Sequence, residues 1–282
     1  MAVLAFVGLS VAPLIGAFQG TPQIANSPTA STDDRLETEA RGYEAVLQRE
    51  PDNESALRGL LAVRIEQGNI PALIPVLERL AADNPEQPDY AVLLGQVKEQ
   101  VGDLEGAAQA YRGVLETRPG DVNALKGLSA LLLQQERPQA AIGLLEDTLQ
   151  TSNEANQIQP GSVDVASVRV LLGEVYFKQE QYEEAIATFD RAIEGSPEDF
   201  RPILGKALVL QAQGRNDEAA PLFASAEALA PDQYKDQIQQ AAAGATTTTQ
   251  TDTPAPAVDE TIEPASEGNS SNVESDSPAE AE

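Results

Sequence analysis

The sequence contains no cysteine and no histidine. Disulfides, Cys/His zinc sites, haem ligation through either residue, a lipidated N-terminal cysteine, and every nucleophile or base built on the two are thereby excluded. Carboxylates, hydroxyls and Lys remain for chemistry. Positive charge is also scarce: 18 Lys and Arg stand against 45 Asp and Glu in 282 residues, a net charge of −27. A phosphate backbone binds at basic patches that displace its counterions, so nucleic acid is excluded as a partner, and an anionic membrane surface is disfavoured on the same ground. No Gly-rich run could cradle a phosphate, and acidic pairs such as Glu183-Glu184 and Asp217-Glu218 fall where helix starts favour negative charge. No metal, cofactor or catalytic residue is expected, and the chain does not read as an enzyme.

What is present falls into parts by charge. Residues 1–32 carry no ionisable side chain, residues 33–245 carry 36 acidic and 18 basic, and residues 246–282 carry 9 acidic and none basic. Residues 1–18, MAVLAFVGLSVAPLIGAF, are apolar apart from Ser10, and as a helix would span about 27 Å against a hydrocarbon core of about 30 Å. The leading reading is a single-pass membrane anchor. A secretory signal is the rival, although the basic n-region is missing and no clear cleavage site follows; a buried hydrophobic helix is the third reading. Residues 19–34 read as a flexible linker, and residues 245–282, rich in Thr, Pro, Ser and Glu, read as a disordered acidic tail.

Between them lies a period. Pro51, Pro85 and Pro119 are 34 residues apart, as are Pro197 and Pro231. Around these marks the same residue types return: Leu94-Gly95, Ala107, Tyr111 and Pro119 in one unit; Leu172-Gly173, Tyr176, Ala185, Phe189, Ala192 and Pro197 in another; Ala207, Gly214, Ala219, Phe223 and Pro231 in a third. Small residues let two helices approach, and the large residue beside them fills the space. Gly68, Gly102 and Gly214 suit a helix C′ position with positive φ, and the terminal prolines stop each second helix. Lys98 stands where Tyr176 supplies an aromatic, and Asn153 where a proline belongs.

This pattern resembles the tetratricopeptide repeat, a helix–turn–helix unit that stacks into a solenoid. The resemblance covers 35–231 and implies an all-α, right-handed α-solenoid: a half repeat 35–53, repeats 54–87, 88–121, 122–155, 166–199 and 200–233, and an insertion at 151–165 with a Pro160-Gly161 turn. There Ser162 is expected to cap the following helix. Residues 232–244 read as a capping helix. By layout the chain also resembles the membrane-anchored repeat proteins of cyanobacteria and chloroplasts, of the slow-green type. That resemblance implies a scaffold or assembly factor in thylakoid or photosystem biogenesis; an exported periplasmic repeat protein and a regulator of an enzyme are the alternatives.

The family resemblance further implies that first helices line a concave groove holding an extended peptide or helix of a protein partner. Mapped by position, that groove holds Arg58, Gln96, Asn123, Lys126, Glu174, Phe177, Arg201 and Leu204, with Val92, Val170 and Leu208 beside them. Arg58, Lys126 and Arg201 point to a partner of acidic character; the plainer reading makes them surface charges paired with neighbouring carboxylates. The Lys–Asn pair by which one subset of the family clamps a terminal carboxylate is absent, since Ala62 and Ala130 stand where Asn would be.

Overall fold

Five helix pairs each turn on one left-handed residue. Gly68, Gly102 and Gly214 have φ of 65°, 86° and 77°, and Glu136 and Glu180 occupy the equivalent turns with φ of 58° and 57°. At each turn the next residue's N–H reaches back to the carbonyl five before it, as Asn69 does to Arg64 (3.1 Å) and Gln181 to Tyr176 (3.0 Å). This is the Schellman closure of a helix end.

The structure, a computed structural model, describes residues 32–249, with side chains placed to 244. The apolar segment 1–18, the linker to 31 and the acidic segment from 250 lie outside the described residues. Within them are α1 (Thr32–Leu47), α2 (Glu54–Glu66), α3 (Ile70–Asp83), α4 (Pro88–Gln100), α5 (Leu104–Thr117), α6 (Val122–Gln134), α7 (Pro138–Ile158), α8 (Val165–Lys178), α9 (Tyr182–Gly195), α10 (Phe200–Ala212), α11 (Asn216–Leu229) and α12 (Asp232–Thr249). Among the described residues there is no strand. Helices α2 to α11 form the five pairs, α1 is a second helix without its first, and α12 closes the far end. Pro85, Pro119, Pro197 and Pro231 each lie two residues beyond the last residue of a second helix. Helix α7, with Asn153 in place of that proline, runs on to Ile158. Helix α12 likewise continues through Gly244 to Thr249.

Polar caps start the helices. Asn53, Asp121, Asp164 and Asp199 accept backbone N–H groups at the first turns of α2, α6, α8 and α10, each cap contributing about 1 kcal/mol. Ser162 is therefore not the cap. Its hydroxyl donates to Asn156 Oδ1 (3.3 Å), and the Asn156 amide meets both backbone groups of Val163, donating to its carbonyl (2.9 Å) and accepting from its N–H (2.9 Å). This clamp ties the end of α7 to the turn that leads into Asp164. A Cβ on Gly120 would collide with Ser162 and Val163, so the insertion lies directly on the preceding turn.

Packing along the stack is set by aromatic rings on glycines. Tyr111 is 0 % exposed, and Cβ atoms added to Gly95 and Gly127 would each come within 2.5 Å of its ring. Phe189, 1 % exposed, lies between Gly173 and Gly205 in the same way, at 2.6 and 2.5 Å. Ala185, Ala219 and Phe223 are buried at their own helix crossings. A second contact ties adjoining units: Arg64 to Glu44 (2.6 Å), Lys98 to Glu78 (2.9 Å), and the Tyr176 hydroxyl donating to Glu146 (2.9 Å). Lys98 thus makes with charge the link that Tyr176 makes with its phenol. Burial, and then the Glu146 carboxylate, push that phenol up to about 12.

Candidate functional site

The curvature of the stack follows from which helices touch. First helices contact one another across units, α4 with α6, α6 with α8 and α8 with α10, whereas second helices meet only the helices next to them in sequence among the described residues. The first helices therefore lie on the inner side of the bend. The last of them, α10, also touches α12.

Along this inner side Arg58, Gln96, Asn123, Lys126, Glu174 and Arg201 are exposed, while Phe177, Leu204 and Leu208 are half-buried. Two of the mapped positions are corrected. Val92 and Val170, 5 % and 7 % exposed, pack between helices and do not line the groove. Both are β-branched and apolar, so burial is where their free energy is lowest.

The three mapped cations differ in their surroundings. Arg58 is held within the repeats: its Nη2 pairs with Glu54 (2.6 Å) and its Nε donates to the Tyr90 hydroxyl on α4 (2.9 Å). The hydrogen bond to Tyr90, with the Glu54 carboxylate beside it, holds its guanidinium above the ordinary range. Arg201 forks onto Asp199, Nη2 to Oδ2 at 2.7 Å and Nε to both carboxylate oxygens at 3.0 and 3.1 Å, the same carboxylate that caps α10. Lys126 differs from both. Among the described residues no carboxylate lies within ion-pair distance of it.

Lys126 on α6, Lys178 on α8 and Arg201 on α10 each act on the Glu174 carboxylate of α8. Desolvation at the crowded inner surface pushes the Glu174 carboxyl above the usual carboxylate range, although Lys126, Lys178 and Arg201 all pull it down. Solvent reaches the side chain, yet protein surrounds it. Lys178 is absent from the sequence-derived set, and its signal was there to read: it lies four residues after Glu174, on the same helix face. Arg58 sits two units away from this cluster, on α2. The charged cluster of the inner surface therefore spans α6, α8 and α10: two Lys without ion-pair partners among the described residues, a paired Arg, one carboxylate between them, and the apolar sides of Phe177, Leu204 and Leu208.

Such a surface can grip an extended chain bearing carboxylates and apolar side chains. Among the described residues, no cluster of acidic side chains is placed to bind a metal ion, and no helix is long and apolar enough to cross a membrane.

A family model described as "Tetratricopeptide repeat" matches residues 63–122, 92–156, 127–200 and 170–234. In Arabidopsis thaliana, "protein SLOW GREEN 1, chloroplastic" is 25 % identical over 236 residues, covering 81 % of this chain and 73 % of that protein. "Cellulose synthase operon protein C" of Pseudomonas fluorescens (strain SBW25) is 31 % identical over 150 residues, which are 52 % of this chain and 11 % of that protein. The crystal structure of yeast Tom70 shares the fold, with a TM-score of 0.55 at 15 % identity, covering 80 % of this chain and 46 % of that one. The repeat register, the turn at every helix pair and the matched family model agree: this chain belongs to the tetratricopeptide repeat family, a scaffold for protein–protein interaction.

Proposed function

We propose that the chain is a membrane-tethered assembly factor that holds an extended peptide or helix of a partner protein against α6, α8 and α10, in the service of thylakoid or photosystem biogenesis. The observation that carries the groove is the pair Lys126 and Lys178, which flank Glu174 with no ion-pair partner of their own among the described residues. A partner carboxylate placed there gains charge-assisted contacts without first breaking an internal pair. The tether is supported by the apolar run of residues 1–18 ahead of the repeats. The setting is supported by similarity to a chloroplastic protein over 73 % of its length.

Crosslinked pull-down from membranes, with identification of the captured proteins, tests this directly. The Lys126→Glu/Lys178→Glu chain should lose captured partners at least tenfold while its far-ultraviolet circular dichroism and melting temperature stay as in the parent. Unchanged capture would refute the groove. Carbonate washing should leave the protein with the membrane pellet, and release into the supernatant would refute the tether.

A further inference from the structure

We infer that the α6–α8–α10 groove takes a segment of its own chain, residues 252–264 (DTPAPAVDETIEP), as an intramolecular ligand that a partner must displace. This deepens the groove reading above and rests on it.

Helix α12 delivers the chain to the α10 end of the stack. Gln211 Nε2 on α10 donates to the Ala241 carbonyl on α12 (2.9 Å). Gln211 is 34 residues after Phe177 and holds the same repeat position. Helix α12 is therefore pinned to the end of α10, one helix on from the corresponding end of α8 where Phe177 and Lys178 stand. From Ala241 it runs eight residues further, to Thr249, about 12 Å of helix. The chain that follows starts within that distance of the Gln211 contact.

Reach is sufficient. Helices in contact lie about 8–10 Å apart, so α12 to α8 is about 20 Å by way of α10. Residues 250–258 can extend to about 30 Å.

The segment's chemistry matches the groove. Pro254 and Pro256 fix φ and carry no N–H, which favours an extended backbone without internal hydrogen bonds. After them come two apolar side chains, Val258 and Ile262, among three carboxylates, Asp259, Glu260 and Glu263. The groove offers the complementary set: Phe177, Leu204 and Leu208 half-buried, with Lys126 and Lys178 outnumbering the one carboxylate between them. A tethered ligand acts at an effective concentration on the order of millimolar, so weak intrinsic affinity suffices to occupy the site.

Zero-length carbodiimide crosslinking of the full chain, at low concentration and low salt, tests this by peptide mapping. The chain has five Lys: 98, 126, 178, 206 and 235. Three of them are internal controls, since Lys98, Lys206 and Lys235 stand 2.9, 2.6 and 2.7 Å from Glu78, Asp190 and Asp232. Links from Lys126 or Lys178 to Asp259, Glu260 or Glu263 are expected, reduced several-fold in high salt. The Asp259→Asn/Glu260→Gln/Glu263→Gln chain should capture partners severalfold better than the parent. Control links without tail links would overturn the inference, as would tail links that join heavy-isotope to light chains, which assign the segment to a second copy. The groove reading fails separately, if Lys126→Glu/Lys178→Glu leaves partner capture unchanged.

Discussion

Ring and glycine come as a matched set, sixteen residues apart in both directions: Tyr111 with Gly95 and Gly127, Phe189 with Gly173 and Gly205, and Tyr43 with Gly59 ahead of it. Where the ring is replaced by Leu77, the same offsets carry Leu61 and Leu93. A glycine makes room for each of these rings, and a larger residue stands opposite where the central side chain is the smaller Leu77. Gly127→Leu should therefore cost roughly 1–3 kcal/mol, and adding Tyr111→Leu should recover part of that loss. Urea unfolding of the two single variants and the double variant reads the coupling; strict additivity would refute the set. Glu174 makes a different prediction. Its carboxyl titrates higher in the folded chain than in the unfolded one, so it destabilises the fold above its folded pKa, and the penalty fades as pH falls through that value toward the unfolded one. Glu174→Gln should raise the melting temperature at neutral pH, with the gain shrinking in acid. A gain that is constant with pH would refute this account.

At the scale of the helix pair, the left-handed turn residue is glycine in three units and glutamate in two. A side chain in that conformation costs roughly 1–2 kcal/mol, of which part returns when glycine loosens the unfolded chain. Glu136→Gly and Glu180→Gly should each stabilise by several tenths to about 1 kcal/mol, measured as a rise in urea midpoint with unchanged slope. The helix pairs, their length and the three turn glycines were legible in the sequence because each is set by a local pattern that repeats. Gly59, Gly127 and Gly205 were not, since their partners lie in the preceding unit and show only when two repeats are stacked. The cap at Asp164 was missed for a related reason. Ser162 has the right chemistry, but a clamp from Asn156 on the end of α7 claims its neighbour Val163 first. Within the groove, the burial of Val92 and Val170, and the split between Arg58 and Arg201, held by neighbours, and Lys126, without an ion pair, depend on how the repeats stack and on distances between side chains, which one repeat's pattern does not carry.

Taken whole, the solenoid carries 36 acidic against 18 basic residues between 33 and 245. Most of its ion pairs are exposed on at least one side, and such pairs contribute little. Self-repulsion among the remaining carboxylates should dominate, so moderate salt should raise the melting temperature by screening it. A fall on going from about 20 to 200 mM salt would mean that the pairs outweigh the repulsion. The two ends of the stack are also unlike. Ile238 of α12, 1 % exposed, seals the far end. At the near end Val46 on α1 is 38 % exposed, where Val114, one of its counterparts in a complete unit, is 4 % exposed. Tyr43 is half-buried where Tyr111 is fully covered. Residues 1–31 join the stack at this thinner edge. Any pull transmitted through them bears first on α1, so under load the array should peel from that helix one unit at a time, with the groove at α6–α8–α10 among the last parts to open.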